Sequence, residues 1–577
     1  MLFRSGGINW GLPGGMYVTY ARARRILPSV SPGGYPKFAS LEIIRSQHFP
    51  ADWQGRLVTC DFRANRVTSF SITEQGAAYI TKQETDICRT SNNTFRPIDV
   101  KLGPDGALYI ADWSNPIINH GEVDFRDPRR DREHGRIWRV SVKGKAGAKN
   151  PALAQANTGA LLNELLSPNH FNSSQATRLL VEKGSAAVAP ELKTWTAKLK
   201  TEKEQLAALW IHQSLNIPAP ELLTKLLAAT DGRIRAAAVR ALSFATTAPA
   251  QPVRVADANG TASTYLADAG ATFAPTDTVS RLAKLVADPH PRVRVEAVRA
   301  LAKFPSAQSA GLVLSAVDGI GTDSFLDYAV WLSINELAQP FLAALESGAW
   351  SPDSPAKQKQ LEFAMKALDP ALASSSVAKI LAAKPLTKDG SGPWIELIGA
   401  AGGQTEVNQL WEQVVKRDFS DAALVRALNA LSSAARLRNV KPAGDGSRAA
   451  SLFYYATFPT RVAAVELMGA WKNPGAAFAE LVKLAGDEKT PTEVRTATFA
   501  AFRELGAIGP VLGALQPLAA KTSPAPVRRA AAVTLASLQP AKFAGLALDE
   551  LAETKTDTEA LDLWRSVLAT KGAAKEF

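Results

Sequence analysis

The chain of 577 residues has few of the features that mark disulfide-rich, membrane-spanning or haem-binding proteins. Its two cysteines, Cys60 and Cys88, would allow one pair in an oxidising compartment, but two isolated thiols are the favoured interpretation. The sequence has no C-x-x-C-H haem-attachment motif and no Cys and His cluster at metal-ligand spacing. No run of about 18 apolar residues is present, so no transmembrane segment is predicted. The first residues also lack the pattern of a signal peptide.

No nucleic-acid-binding motif is found, although the net charge is +12. Residues 1–145 carry 21 Lys and Arg against 14 Asp and Glu, and the remaining residues carry 45 against 40. The basic excess therefore belongs mainly to the first quarter of the chain. This distribution favours a basic pocket for a small anion over a track for a phosphate backbone, and we predict no nucleic-acid partner.

The first part of the chain has the pattern of short β-strands separated by turn residues. Alternating apolar positions predict strands over 41–44, 56–61, 66–72, 100–102, 107–111 and 136–140. A Gly-Pro-Asp-Gly turn at 103–106 separates two of them. The spacing predicts one four-stranded blade over about 38–90 and another over about 92–142, as in a β-propeller.

The sequence changes character after a short basic linker at 143–151. From 152 to 577 it is rich in Ala and Leu and is broken at short intervals by Pro, Gly or Asp. A recurring unit begins with Asp or Pro, places Val-Arg or Ile-Arg in the first helical turn and ends in Ala-x-x-Ala-Leu, and it is seen at 231–242, 288–301, 492–497 and 525–533. This pattern predicts an α-solenoid of HEAT-type helical hairpins, with room for about ten.

Several stretches resemble a known family. They are HFPADWQGRLVTCDFRANRV (48–67), FRPIDV (95–100), GPDGALYIADW (103–113) and NPIINHGEVDFRDPRRDREHGRIWRV (115–140). They are similar to the multidomain haem-binding proteins of Planctomycetes and Verrucomicrobia. Those proteins join a propeller, called a membrane-bound dehydrogenase domain, to HEAT repeats and a c-type cytochrome. The propeller in turn resembles glucose/sorbosone dehydrogenases that use pyrroloquinoline quinone (PQQ).

The resemblance implies a multidomain β + α protein truncated at both ends. We expect the C-terminal blades of a β-propeller at 1–142 and a HEAT-repeat α-solenoid at 152–577. The implied function is that of a periplasmic or otherwise extracytoplasmic dehydrogenase, which oxidises a sugar or an alcohol and passes electrons to a c-type haem domain absent from this chain. The alternative is a non-catalytic propeller and HEAT scaffold that binds a glycan or a protein partner on the solenoid.

The resemblance also implies a set of cofactor-binding residues. Arg63, with Arg66 as the second choice, matches the basic residue that the penultimate blade presents to the quinone, and Arg96 matches an arginine of the last blade. Asp112 ends a strand near the expected channel. PQQ carries three carboxylates, which arginine forks bind well. The family's calcium ligands and its catalytic base lie in blades that precede this sequence, so no metal site is predicted here.

Other roles are open for the same region. Arg63 and Arg96 would be structural if they paired with Asp61 and Asp99, and Asp112 is equally suited to cap a turn. The alternating charges of the loop before residue 136 favour a self-paired surface loop. Alternatively, this loop lines the mouth of the channel, where His120 is the candidate acid or base.

Overall fold

The computed structural model describes residues 2–4, 7–17, 25–31, 38–119, 122–149, 151–244, 252–256, 262–266, 277–383 and 386–568. The chain divides into two compact units, Met1–Ala343 and Ala344–Phe577. No helix in these described ranges is both long enough and apolar enough to cross a membrane. The first unit contains all the strands together with the first helices, and the second unit is helical.

The strands of the first unit form small antiparallel sheets. The strands before the first helix are β1 (Leu2–Arg4), β2 (Gly7–Asn9), β3 (Phe38–Ile43), β4 (Leu57–Asp61), β5 (Arg66–Gln75), β6 (Ala78–Gln83), β7 (Cys88–Arg89), β8 (Pro97–Leu102), β9 (Leu108–Asp112) and β10 (Arg136–Val140). One sheet has the order β3-β4-β5-β6, with β7 also paired to β5, and a second has the order β8-β9-β10. β1 and β2 form a separate hairpin.

The two larger sheets pack face to face through β3, β4 and β8. In β3 and β9, buried residues alternate with partly exposed ones, because successive side chains point to opposite faces. β4 is buried along its whole length. The buried residues between the sheets are Ile44, Phe49, Val58, Cys60, Val67, Phe95, Val100, Leu102, Leu108 and Ile110.

The two cysteines are free thiols. Cys60 and Cys88 each lie opposite Val67, on either side of β5. Two strand spacings separate them by about 9.5 Å, which exceeds the roughly 7 Å between Cα atoms that a disulfide can bridge. Burial raises the pKa of both thiols, so the pair has the properties of inert core residues.

Helices make up the rest of the first unit. They are α1 (Thr158–Glu164), α2 (His170–Lys183), α3 (Ser185–Thr196), α4 (Glu202–Ser214), α5 (Pro220–Leu226), α6 (Gly232–Phe244), α7 (Thr278–Leu285), α8 (Pro291–Leu301), α9 (Ala307–Ser315) and α10 (Ser324–Glu336). Their starts follow known capping chemistry: Thr201 and Glu204 form a capping box at α4, and Asp323 caps α10. Helix α11 (Ala338–Ser347) contains the division between the units.

The second unit is built from helices throughout its described residues. They are α12 (Pro355–Ala367), α13 (Pro370–Ala383), α14 (Trp394–Ala401), α15 (Gln404–Val415), α16 (Asp421–Arg438), α17 (Phe458–Trp471), α18 (Ala477–Gly486), α19 (Thr492–Leu505), α20 (Gly509–Leu518), α21 (Ala525–Leu538), α22 (Pro540–Ala552) and α23 (Asp557–Leu568). Helices α14, α16, α17, α19 and α21 pack in series, as α4, α6, α8 and α10 do in the first unit.

The recurring Ile-Arg arginine links neighbouring repeats in the first unit. Arg235 makes two bonds to Asp288, with Nε to Oδ2 at 2.9 Å and Nη2 to Oδ1 at 2.7 Å. Its Nη1 also donates to the carbonyl oxygens of Ala229 and Thr230. The motif thus predicted repeats that are stabilised by contacts between neighbours rather than by one central core.

The expectation that everything after the linker is helical was wrong at one place. A hairpin of β11 (Pro252–Ala256) and β12 (Ala262–Leu266) lies between α6 and α7 in the sequence. Its sequence alternates apolar and polar residues around Asn259-Gly260, a dipeptide typical of hairpin turns. The Ala/Leu-rich composition of the flanking repeats hid this local alternation. The remaining prediction, an antiparallel β region followed by helical repeats, is confirmed, whereas the assignment of the sheets as propeller blades stays a prediction.

Candidate functional site

Asp112, predicted to bind a cofactor, is a fully buried structural carboxylate at the end of β9. Its Oδ1 accepts the main-chain amides of Arg96 at 2.8 Å and Ser114 at 3.0 Å. Its Oδ2 accepts Nε1 of Trp138 at 2.9 Å and lies 2.8 Å from Nε of Arg136. Both oxygens are therefore occupied by groups that hold β8, β9 and β10 together.

Arg96 is buried next to Asp112, and its guanidinium bonds to main-chain oxygens. Nε donates to Asn115 O at 2.8 Å, Nη1 to Phe62 O at 2.9 Å and Nη2 to Pro116 O at 3.1 Å. Burial lowers the pKa of this guanidinium, and Asp112 partly offsets that effect. Arg96 thus links the turn after β4 to the loop after β9.

Asp99 is not the partner of Arg96, because a register shift at Pro97/Asp99 turns it away from the core. The Asp99 carboxylate instead accepts a hydrogen bond from Ser40 and lies 3.3 Å from Nζ of Lys101. The hypothesis that Arg96 pairs with Asp99 is therefore wrong, although the structural role that it offered for Arg96 fits the observed contacts.

The other two predicted arginines lie near the same place. Arg66, on β5, bonds through Nη2 to Asp61 at 3.2 Å and lies 3.6 Å from Asp86. Arg63 is exposed and follows Phe62, whose carbonyl oxygen accepts from Arg96. The structure thus places Arg63, Arg66 and Arg96 around the β4–β5 turn, but only Arg63 extends into solvent.

The loop between β9 and β10 pairs largely with itself. Arg129 bonds to Asp127, and Arg130 donates to the carbonyl oxygens of Asn119, Val123 and Asp124. His134 contacts Asp131 through Nδ1. His120, the candidate acid or base, lies outside the described residues.

The described residues of this region do not fit PQQ. A quinone with three carboxylates requires arginine forks that are free to bind bidentately, whereas Arg96 and Arg66 already bond to internal partners. Asp112 accepts three hydrogen bonds and forms an ion pair with Arg136. Across the described ranges, no group of three or more His, Cys, Asp or Glu side chains is placed to hold a metal ion.

A second constellation, which the sequence did not predict, joins the N-terminal residues to the helices. Leu12-Pro13-Gly14-Gly15 forms a turn closed by Gly15 N to Leu12 O at 2.9 Å. Gly14 has a φ of +76°, which favours glycine, and an added Cβ would lie 2.9 Å from Nη2 of Arg299. The Tyr17 hydroxyl accepts Leu12 N and donates to the carbonyl oxygen of Trp10. Residues 10–17, here called the N-terminal loop, are therefore compact.

Helices α6, α8 and α10 bond to the main chain of the N-terminal loop. Arg240 Nη2 donates to Gly11 O at 3.3 Å and Arg299 Nε to Pro13 O at 3.0 Å, while the Tyr328 hydroxyl accepts Met16 N at 2.9 Å. Each arginine is itself held by a glutamate: Glu296 of α8 pairs with Arg240, and Glu336 of α10 pairs with Arg299. Burial raises the pKa of Glu296, and its bonds to Arg240 oppose that shift.

Aromatic and charged contacts extend this junction to the β5–β6 turn. Trp10 is buried against Phe325, with ring centroids 5.1 Å apart. The Arg292 guanidinium lies 4.1 Å from the ring centroid of Tyr79, and its Nη2 lies 3.2 Å from Glu74. Asp323 accepts the Ala77 amide at 2.7 Å while it also caps α10.

No role was predicted from the sequence for Arg240 or Arg299. Arg240 and Arg299 occupy the same place in two copies of the Ala-Val-Arg-Ala-Leu motif. That repetition is a usable signal, because an arginine repeated on buried helix faces needs a partner for each copy. The partner, a loop more than 200 residues earlier, has no signal in the sequence apart from the Leu-Pro-Gly-Gly turn.

Among known protein families, a match was found for only part of the chain. A model of a domain of unknown function, DUF7133, matches residues 16–144, which is less than half of the sequence. No curated protein matches. Among solved structures, Kap121p bound to Nup53p is 13% identical over 70% of this chain and 49% of that chain, with a TM-score of 0.35.

Two other solved structures are similarly distant. Importin beta is 12% identical over 73% of this chain and 62% of that chain, with a TM-score of 0.26. Human deoxyhypusine hydroxylase in complex with glycerol is 15% identical over 60% of this chain and 95% of that chain, with a TM-score of 0.19. The chain thus spans about half the length of Kap121p, and these low TM-scores do not establish a shared fold.

Proposed function

We propose that this chain is a non-catalytic scaffold, in which helical repeats hold a β-rich region and present it to a protein partner. The observation that carries the proposal is the junction at α6, α8 and α10. There, Arg240, Arg299 and Tyr328 bond to main-chain groups of the N-terminal loop. Bonds of this kind fix the position of one polypeptide on another and perform no chemistry.

The energetics of the junction suit a permanent attachment. The Arg299 and Glu336 side chains are only 9% and 11% exposed and make two short bonds, Nη1–Oε2 at 2.8 Å and Nη2–Oε1 at 2.9 Å. Breaking such a buried pair by removing one partner costs about 3–5 kcal/mol, because the other charge stays buried. This pair joins α8 to α10 and fixes the guanidinium that donates to Pro13 O. Arg292 and Asp323 of the same helical region also contact Glu74 and Ala77, so the β region is expected to remain fixed on the helices.

The dehydrogenase hypothesis, with PQQ, a sugar or alcohol substrate and an extracytoplasmic location, stays a prediction of the family resemblance. The contacts of Arg66, Arg96 and Asp112 argue against it. Both arginines already bond to internal partners, so neither presents a fork that could bind a carboxylate, and Asp112 is paired as well. Protein binding is favoured over glycan binding because the junction already shows side chains that recognise a peptide backbone.

The two hypotheses are separated by titrating the full chain with PQQ and calcium in a calorimeter. The scaffold hypothesis expects no saturable heat for the wild type or for Arg63→Ala. Saturable binding that Arg63→Ala abolishes would contradict it and restore the quinone site.

A second measurement tests the attachment itself. Hydrogen exchange of residues 7–17 should be slow in the wild type and faster in Arg240→Ala/Arg299→Ala. The exposed pair Arg426→Ala/Arg436→Ala in the second unit serves as the control and should leave that exchange unchanged. Equal exchange in all three proteins would show that the junction does not hold the loop.

A further inference from the structure

Among the residues that the structure describes, strand β10 is an open sheet edge, and a defined set of its main-chain groups has no partner. The Trp113 amide donates to Arg96 O on the β8 side at 2.9 Å. Since alternate residues of a strand face the same neighbour, Asp112 directs its main-chain groups to β10. In the observed register, Ile137 and Arg139 then direct their N–H and C=O groups away from β9. Within the described part of the chain, β9 is the only strand that pairs with β10.

The other large sheet shows how this chain covers an edge. Its outer strand β6 is closed by Val30, whose carbonyl oxygen accepts both the amide of Thr81 at 3.1 Å and its hydroxyl at 2.9 Å. The third strand of that sheet, β5, is paired on both sides, and Phe70 is only 2% exposed. In one sheet the fourth strand, β6, thus covers β5, whereas no described strand covers β10 in the other sheet.

The exposure of the β10 side chains also indicates an uncovered edge. Trp138 faces the core, with its ring centroid 6.3 Å from that of Phe95, and its indole N–H donates to Asp112. It is nevertheless 46% exposed, and its neighbour Ile137 is 78% exposed. An inward-facing tryptophan that is half exposed has the position expected of a residue beside an absent strand.

Charge indicates which strand fits this edge. Residues 122–149 carry nine Lys and Arg against five Asp and Glu. Arg136 and Arg139 of this segment pair with Asp112 and Asp105, which lie outside it, so an excess of two positive charges remains. A second copy of β10 would bring two such basic segments together, with like charges at close range. An acidic segment would instead gain from the excess of positive charge.

We propose that the open edge of β10 binds an extended, acidic segment of a partner protein as a fourth antiparallel or parallel strand. Main-chain bonds to Ile137 and Arg139 would supply affinity. An apolar residue of the partner would cover Trp138, and acidic residues would face the basic segment 122–149, in which Arg139 is already paired with Asp105. This inference rests on the scaffold function, for which it names the presented surface and the chemistry of the partner.

The test uses the full chain and labelled peptides of about six residues that alternate glutamate with valine, or lysine with valine. Fluorescence anisotropy should show binding of the glutamate peptide alone, weakened by added salt. Ile137→Pro removes an outward N–H that no described residue accepts, a position where proline is tolerated, and it should weaken binding at least tenfold. Ile98→Ala, which removes another exposed isoleucine of the same sheet, should leave binding unchanged.

A backbone-neutral variant guards against misfolding of the proline variant. Ile137→Glu should also weaken binding of the glutamate peptide, because it places like charge at the edge. No binding of either peptide, equal binding of both, or binding unaffected by both Ile137 variants would overturn the proposal. Dimerisation of the free chain that Ile137→Pro abolishes would also overturn it, in favour of a second copy. None of these outcomes alters the exchange of residues 7–17 or the quinone titration, which test the scaffold function separately.

Discussion

β5 and β10, the third strands of the two large sheets, differ in how far they are paired and buried. β5 pairs with β4 and β6, and its residues from Val67 to Phe70 are buried. β10 pairs with β9 alone, and its residues Ile137, Trp138 and Arg139 are exposed. The two strands thus differ in how far neighbouring strands cover them.

The far ends of the two strands add to this contrast. β5 runs on to Gln75, and Glu74 near its end contacts Arg292 and His290 of the α8 region. β10 is followed by the linker toward α1 and has no comparable helix contact among its described neighbours. The comparison indicates that one sheet is a structural base and the other is available for binding.

The largest expected effect comes from truncating Phe70 of β5, and the same change at Trp138 of β10 is its comparison. Phe70→Ala should cost about 3–5 kcal/mol of unfolding free energy, because it empties a fully packed site. Trp138→Ala should cost about 1–2 kcal/mol, because about half of that ring is already in water. Denaturant unfolding of both variants measures the difference. Equal losses would mean that β10 is covered like β5.

Removal of the Asp112 carboxylate should come next. Asp112→Ala leaves two amides, an indole N–H and Arg136 without their acceptor, so we expect a loss of about 3–4 kcal/mol. Asp127→Ala, which removes a self-paired carboxylate of the β9–β10 loop, should have a much smaller effect. Thermal unfolding compares them, and similar losses for both would refute a structural role for Asp112.

A smaller effect should distinguish the buried Arg96 from its exposed neighbour Arg63. Arg96→Lys should cost about 2 kcal/mol, because an ammonium cannot reach three carbonyl oxygens in the plane of the guanidinium fork. Arg63→Lys should be neutral within about 0.5 kcal/mol. A stable Arg96→Lys variant would show that these three bonds do not hold the sheet.

The smallest effect is a pH dependence at the end of β5. Burial lowers the pKa of His290 below its ordinary 6.5, and the nearby Glu74 partly opposes this. The folded state then binds fewer protons than the unfolded state just below pH 6.5, so stability should fall as the pH drops through that range. His290→Gln should reduce this slope. An unchanged slope in His290→Gln would exclude His290 as the source.

Much of the fold could be predicted from local patterns. The predicted strand at 136–140 coincides with β10, and the Gly-Pro-Asp-Gly turn separates β8 from β9 as expected. Alternation and turn chemistry are properties of neighbouring residues, and they suffice for such elements. The β11–β12 hairpin had the same signal and was missed because the surrounding composition dominated the interpretation.

The site could be predicted less well, because its contacts are distant in sequence. The Arg96 guanidinium donates to the carbonyl oxygens of Phe62, Asn115 and Pro116. Every residue has a main-chain carbonyl group, so these acceptors cannot be identified from the sequence. The targets of Arg240 and Arg299 were hidden for the same reason. Sequence patterns thus located the charged groups, and only tertiary contacts decided whether those groups were free.

Hydrogen exchange of the free full chain, resolved to single residues by electron-transfer fragmentation, tests the central comparison most directly. The account predicts slow exchange for the Ala77 amide, bonded to Asp323, and for the Thr81 amide, bonded to Val30. It predicts rapid exchange for the outward amides of Ile137 and Arg139, next to slow exchange at Trp138. Protection of Ile137 and Arg139 equal to that of Thr81 would contradict the account, since it would show that this edge is already covered.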